Sequence, residues 1–182
     1  KILIINGHPD KESLCRALTD AYEKGALASG NAEVRRLDLV DLQFDPILRY
    51  GYRKPHELEP DLVKAQQDIL WADHLVWVYP IWWGTFPALL KGFLDRVFLP
   101  GFAFKYHKTD PFWDKLLKGR TARVITTMDT PGFYYRLMYA YAGHKIMNRQ
   151  VMGFSGIKAA FTTFAPIKTS KPKQRAKWLE QV

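Results

Sequence analysis

The sequence predicts one α/β domain over residues 1–182, built on a parallel sheet. Short apolar runs alternate along the chain with segments of helical period, which is the order of elements in α/β folds. The runs are almost continuously apolar, as strands buried on both faces are. A chain of 182 residues, 47% of them apolar, also fits a single packed core.

Each predicted strand is a short apolar or alternating run that ends in a turn signal. Five strands are predicted, over 2–5, 33–39, 74–79, 123–127 and 156–164. Helices are predicted from an N-cap at Ser13 to about residue 30, and over 61–71, 88–98 and 172–182. The stretch 133–147 is helical or irregular, and 45–60 and 100–118 are expected to be long loops.

The net charge of +9 raises the question of a nucleic-acid partner, but the basic residues are scattered and gather only weakly near the C-terminus. Such a run usually marks a solvated helix face, so no nucleic acid is expected; the charge would favour anionic small ligands. No run is long and apolar enough to predict membrane insertion. The single cysteine, Cys15, cannot form an internal disulfide, and the opening residues do not read as a secretory leader, so a cytoplasmic protein is expected.

Three unusual segments all follow predicted strands, at 6–16, 80–87 and 126–135. In open parallel sheets, ligands bind beyond the carboxyl ends of the strands, where such segments meet. The sequence therefore predicts a ligand site at this edge.

The first of these segments, GHPDKESLC, leads from a strand into a helix. Backbone N–H groups at a helix start bind anions, so Ser13, Leu14 and Cys15 could hold a phosphate; an ordinary capped helix is the alternative. The second, PIWWGTFP, exposes too much aromatic surface for a simple connector. It would stack on a flat aromatic ligand, or it is buried against the body or a partner subunit.

The run YPIWWGTFPALLKGFLDRVFLPGFAF closely resembles the flavin loop and following helix of the NAD(P)H:quinone oxidoreductases. GHPDKESLCRAL and VITT support the resemblance in the same order along the chain. It implies a flavodoxin-like three-layer sandwich, with a five-stranded parallel sheet in the order 2-1-3-4-5 and helices on both faces. It also implies a bound flavin, NADPH or NADH as electron donor, a quinone-like acceptor, and a homodimer with the active site at the interface.

The resemblance also assigns residues to the site. The flavin contacts it implies are His8, Ser13, Leu14 and Cys15 at the phosphate, Pro80, Ile81, Trp82 and Trp83 along the ring, and Thr126, Thr127, Met128 and Asp129 opposite. Phe86, with Phe104 and Tyr106 of the partner, would form the substrate pocket. Tyr134 or Tyr135 would stand for the family's active-site tyrosine, whereas His144 lies too far along the chain to match its histidine. FMN is favoured over FAD because the chain lacks the long C-terminal extension of the larger members.

Two other functions remain open from the residues: a flavodoxin-type electron carrier, and an ancillary flavoprotein subunit of an ion-efflux system. Carriers of that type are usually acidic and monomeric, which the charge of +9 and the aromatic loop disfavour. Cys15 has no base beside it in sequence and is not expected to be a nucleophile. No histidine or cysteine spacing predicts a metal site.

Overall fold

The computed structural model describes residues 1–182. Its strands are β1 (Ile2–Asn6), β2 (Val34–Asp38), β3 (His74–Pro80), β4 (Phe104–Tyr106), β5 (Trp113–Lys115), β6 (Thr121–Thr127) and β7 (Lys158–Phe164). Its helices are α1 (Leu14–Ala28), α2 (Pro60–Trp71), α3 (Ala88–Val97), α4 (Gly132–Tyr139), α5 (Ala142–Lys145), α6 (Gly153–Ser155) and α7 (Pro172–Glu180). A π-helix, Ile146–Met152, joins α5 to α6.

Five strands form one parallel sheet in the order β2-β1-β3-β6-β7, and this confirms the predicted flavodoxin-like order. Alternate residues of the central strands face opposite layers. Ile4 and Val76 pack in a core that includes residues of α1 and α7. Ile5 and Trp77 pack in a larger core that includes residues of α2, α3 and the π-helix. Because helices cover both faces, the strands are apolar throughout rather than alternating.

The prediction that residues 100–118 form a loop was wrong. The stretch 100–118 contains β4 and β5, which pair as an antiparallel ribbon outside the main sheet. The two strands are only three residues long and lie among glycine, aspartate and proline, so their pattern is too short to be recognised. The predicted strand at 156–164 begins instead at Lys158, because Gly156 has φ +94° and forms a turn.

The buried Arg96 of α3 hydrogen-bonds to the segment 45–59, which precedes α2. Arg96 is fully buried, and its guanidinium donates to the Glu59 carboxylate at 2.7 and 3.2 Å. It also donates to the backbone carbonyls of Asp45 and Glu57. Gly92, one turn earlier in α3, lets Pro46 approach so closely that a Cβ at position 92 would meet the Pro46 Cβ at 2.3 Å and its carbonyl oxygen at 2.6 Å. These contacts hold both ends of the stretch 45–60, which the sequence predicted to be a long loop.

None of the helices has the length and apolar character that a bilayer crossing requires.

Candidate functional site

A cavity of about 470 Å³ opens at the carboxyl edge of the sheet, where β1, β3 and β6 end. Fourteen residues line it, and eleven of them belong to the twelve that the resemblance implies for the flavin. These eleven are His8, Ser13, Leu14, Cys15, Pro80, Ile81, Trp82, Trp83, Thr127, Met128 and Asp129. Asp10, Thr130 and Ile167 complete the wall. The structure therefore brings the three separate segments together around one space.

One end of this cavity is the N-terminus of α1. Ser13 is the N-cap, and its hydroxyl accepts a hydrogen bond from the Arg16 amide at 3.3 Å. The preceding amides, of Ser13, Leu14 and Cys15, find no acceptor in the protein. The first turn also contains no acidic side chain that would compete for them. Free N–H groups at a helix start, reinforced by the helix dipole, form a site for an anion.

His8 adds a hydrogen-bond donor beside this anion site. Its Nδ1 accepts from the Asp10 amide at 2.9 Å, so the proton of the neutral ring lies on Nε2. Burial lowers the pKa of His8, against the opposing effect of Asp10. The ring packs edge-on against Trp82, with 5.3 Å between centroids. His8 is therefore a neutral donor that contacts Trp82 and lies in the same cavity as the start of α1.

The other end is a tight turn that presents two tryptophans. Trp82 and Thr85 pair with each other through backbone bonds of 2.8 and 3.1 Å. The two residues between them, Trp83 and Gly84, have φ of +50° and +82°. Positive φ is rare for a bulky residue and costs about 1–3 kcal/mol. The turn leaves the Trp83 side chain fully exposed, as a flat surface at the cavity mouth.

The wall opposite the tryptophans is formed by the residues that follow β6. The Thr127 hydroxyl hydrogen-bonds to the Cys15 thiol at 3.3 Å, and Met128 and Asp129 are bonded to the segment after β7. Burial raises the pKa of Cys15 to about 12, with the Thr127 bond acting in the opposite sense. The group is thus a neutral thiol at neutral pH, consistent with the prediction that Cys15 is no nucleophile.

The structure separates Thr126 from the other predicted flavin residues. Its side chain is buried on the opposite face of the sheet, bonded to Thr163 at 2.8 Å and to His144 Nε2 at 3.2 Å. Consecutive residues of a strand face opposite sides, so Thr126 and Thr127 could not both point into one cavity.

A second cavity, of about 590 Å³, adjoins the first and shares Ile81, Trp83 and Thr130 with it. Tyr135 lines it, with its hydroxyl between two backbone groups. The Gly143 amide donates to this hydroxyl at 2.9 Å, and the hydroxyl donates to the Gly84 carbonyl at 3.3 Å. Burial raises the pKa of Tyr135, so the phenol stays protonated. Tyr134 is exposed and lines neither cavity.

His144 lies closer to this region than its sequence position indicated. Ala140 and Tyr141 both have left-handed backbone, at φ +46° and +55°, and they reverse the chain after α4. This reversal sets the His144 ring 5.3 Å from the Tyr135 ring and stacks it on Tyr141. Burial lowers the pKa of His144. Neither alanine nor tyrosine favours positive φ, so no local signal reveals the reversal.

The three residues assigned to the substrate pocket lie elsewhere in this chain. Phe86, Phe104 and Tyr106 line a groove of about 390 Å³ between α3, the ribbon and the π-helix, and none of them lines the first or the second cavity. Phe86 is buried against Tyr79, and Phe104 against Phe154. Tyr106 is 58% exposed and is the member of the set free to reach another molecule.

The order of the sheet defines an α/β protein of the doubly wound type, and the cavity lies at the carboxyl edge, where such folds bind ligands. The chain belongs to the family described as "Flavodoxin-like fold", whose model matches residues 1–182.

Similarity to individual proteins agrees with this family. The chain is 39% identical, over 107 residues, to an "Uncharacterized NAD(P)H oxidoreductase" of Haemophilus influenzae, covering 57% of this chain and 52% of the relative. It is 33% identical to NAD(P)H dehydrogenase (quinone) 1 of Cavia porcellus, covering 74% and 55% of the two chains. The chain thus spans about half the length of these relatives. Smu.1420 of Streptococcus mutans has the same fold, with a TM-score of 0.81, 30% identity and coverage of 99% and 95%.

Proposed function

We propose that this protein is a flavin-dependent NAD(P)H oxidoreductase that passes two electrons to a quinone or a similarly flat acceptor. The observation that carries the proposal is the first cavity, at the carboxyl edge of the sheet, which has free amides at one end and an exposed tryptophan turn at the other. A flavin mononucleotide has the same polarity, with a phosphate at one end and an aromatic ring at the other. The names of the two curated relatives, an NAD(P)H oxidoreductase and a quinone dehydrogenase, support the reaction class.

The residues of the cavity fit this cofactor in detail. The amides of Ser13, Leu14 and Cys15 would bind the phosphate, and His8 would donate from Nε2 to the same end. Trp82 and Trp83 would contact the ring from the side of the turn, and Thr127 to Asp129 would face them across the cavity. One anion site at one helix start suits the single phosphate of FMN, so FMN is the form we propose over FAD.

The adjoining cavity would hold the electron donor and the acceptor in turn. A flavin held in the first cavity would supply the redox chemistry, which is hydride acceptance from a reduced nicotinamide and two-electron transfer to the acceptor. The cavity shares Ile81 and Trp83 with the cofactor site, so both reactants would lie against the ring. A shared space predicts that donor and acceptor exclude each other, as in a ping-pong reaction.

The homodimer is a part of this proposal. The exposed Tyr106 projects from the ribbon of β4 and β5, outside the main sheet. In the proposed dimer, the partner subunit's Tyr106 would close the acceptor site over Trp83, whereas Phe104 stays buried in its own chain.

The test is an anaerobic absorption experiment on the purified protein, after saturation with FMN or FAD. We expect FMN to bind more tightly, NADPH or NADH to bleach its visible bands, and a soluble quinone to restore them. Bands that persist with either nucleotide would contradict the oxidoreductase and favour an electron carrier. Absence of flavin uptake would contradict the cofactor assignment itself.

Tyr135 is the tyrosine of the predicted pair that we propose acts in turnover, since it lines the acceptor cavity as a protonated phenol. Tyr135→Phe should lower kcat by at least about tenfold while changing flavin affinity less. Tyr134→Phe, an exposed neighbour with an identical chemical change, should leave kcat close to the wild-type value. Equal losses of flavin affinity and kcat in Tyr135→Phe would instead assign the hydroxyl to holding Gly84 and Gly143.

A further inference from the structure

The net charge of the protein comes from one continuous part of the chain. Residues 130–179 contain no aspartate or glutamate and nine basic residues, which are Arg136, Lys145, Arg149, Lys158, Lys168, Lys171, Lys173, Arg175 and Lys177. The rest of the chain has equal numbers of basic and acidic residues. All nine cations are exposed, and none forms an ion pair within the protein. This stretch of the chain therefore supplies the whole net charge of +9.

The same part of the chain contains an exposed apolar helix. Only Tyr135 of α4 is buried, although most of the helix is apolar. The other large side chains, which we name the α4 apolar surface, are Phe133, Tyr134, Leu137, Met138 and Tyr139, each between 41% and 74% exposed. A helix that is apolar on all sides is normally buried. An exposed cluster of this kind marks a surface that meets another apolar phase or molecule.

Two observations place this surface at the mouth of the proposed active site. Tyr135 and Tyr139 of α4 line the second cavity together with Trp83, and Ile146 lines it from the other side. Trp83 and Ile146 are themselves exposed. Lys168 lies at the same edge of the sheet, because its amide bonds to Asp129, which follows β6. Aromatic and aliphatic side chains thus line the opening, and Lys168 lies at the same edge of the sheet beside the exposed Asp129.

We propose that the α4 apolar surface docks on an anionic phospholipid bilayer. Aromatic and aliphatic side chains flanked along the chain by lysine and arginine are the composition that binds the interface of such a bilayer. The proposed homodimer would engage a second copy through the ribbon of β4 and β5, whereas two α4 surfaces facing each other would bring like charges together. The bilayer supplies both the apolar phase and the opposite charge.

The docking is argued from the exposure of α4 and from the charge of the chain around it, so it does not rest on the proposed function.

The experiment is co-sedimentation of the flavin-saturated protein with vesicles of phosphatidylglycerol and phosphatidylcholine, or of phosphatidylcholine alone. We expect binding to the anionic vesicles that falls as salt is raised, and little binding to the neutral ones. The double variant Leu137→Gln/Met138→Gln should lose at least about tenfold in vesicle affinity. Lys145→Gln/Arg149→Gln should lose roughly fivefold for each charge removed. Glutamine keeps the helix propensity of these positions.

The matched control removes two equally exposed leucines on other helices. Leu27 and Leu70 are 55% and 51% exposed, on α1 and α2, and Leu27→Gln/Leu70→Gln should bind vesicles like the wild type. A loss equal to that of the α4 variant would overturn the proposal, as would no binding to anionic vesicles at low salt. Sedimentation velocity without lipid tests the other occupant: dissociation of a dimer by the α4 variant, without vesicle binding, would assign the surface to a second copy.

A turnover assay of the α4 variant distinguishes a failure of the docking proposal from a failure of the proposed function. With a short, water-soluble quinone, the Leu137→Gln/Met138→Gln variant should turn over at the wild-type rate, because neither residue lines a site cavity. Vesicle binding is measured without any substrate, so it stands or fails independently of the redox activity.

Discussion

Replacing Arg96 by methionine is expected to lower the free energy of unfolding by about 3 kcal/mol. The guanidinium is fully buried and bonds to the Glu59 carboxylate and to the carbonyls of Asp45 and Glu57. Methionine retains much of the apolar stem but leaves the two carbonyls and Glu59 Oε2 without the guanidinium donors, while Glu59 Oε1 keeps the Asp45 amide at 3.1 Å. We place the loss at the low end for a buried ion pair because the Glu59 side chain is 27% exposed and is partly hydrated.

Urea unfolding, followed by tryptophan fluorescence and by circular dichroism, measures this loss. Arg49→Met is the matched control, since Arg49 pairs with Asp45 at 2.6 Å but is 57% exposed. Exposed ion pairs contribute little, so this variant should change the free energy of unfolding by less than about 1 kcal/mol. Similar values for the two variants would show that the contacts of Arg96 contribute no more than a surface pair.

Gly143→Ala is expected to weaken flavin binding by more than about tenfold and to slow turnover. A Cβ at this position would meet the Gly84 carbonyl oxygen at 2.3 Å and the Tyr135 hydroxyl at 2.8 Å. Neither atom can move aside easily. The Gly84 oxygen belongs to the backbone, and the Tyr135 hydroxyl is hydrogen-bonded to both the Gly84 carbonyl and the Gly143 amide. The tryptophan turn must therefore move away from α5, and Trp83 moves with it.

Flavin titration of the apoprotein measures the affinity, and steady-state kinetics with a soluble quinone measures turnover. Gly132→Ala provides the control, because a Cβ there meets nothing within 4 Å and the residue begins the same helical region. Its flavin affinity should equal that of the wild type. If Gly143→Ala also binds flavin normally, the contact between α5 and the tryptophan turn does not position the ring.

Much of the fold follows from the sequence because the main strands are buried on both faces. Runs such as Ile2–Asn6 and His74–Pro80 are apolar enough to predict strands, and their alternation with helices predicts a parallel sheet. The sheet order was obtained from the family resemblance rather than from periodicity. The ribbon of β4 and β5 was missed, since three residues are too few to establish a period of two.

The site was partly predictable for a related reason. Segments that follow parallel strands converge at one edge, so His8, Trp82 and Asp129 could be grouped without knowledge of their contacts. Thr126 was assigned with its neighbour although strand geometry points the two apart. The proximity of His144 to Tyr135 depends on two left-handed residues, and the buried Arg96 contacts depend on tertiary packing. No sequence window contains that information.

The backbone conformation of Trp83 sets the stability of the fold against the use of its ring. The residue has φ +50°, a conformation that glycine adopts without strain, and its side chain has almost no contact that stabilises the isolated fold. Glycine at this position would relieve the backbone strain without removing a core contact. Under the proposed function the ring is needed to bind the flavin, so this turn would be where stability is traded for activity.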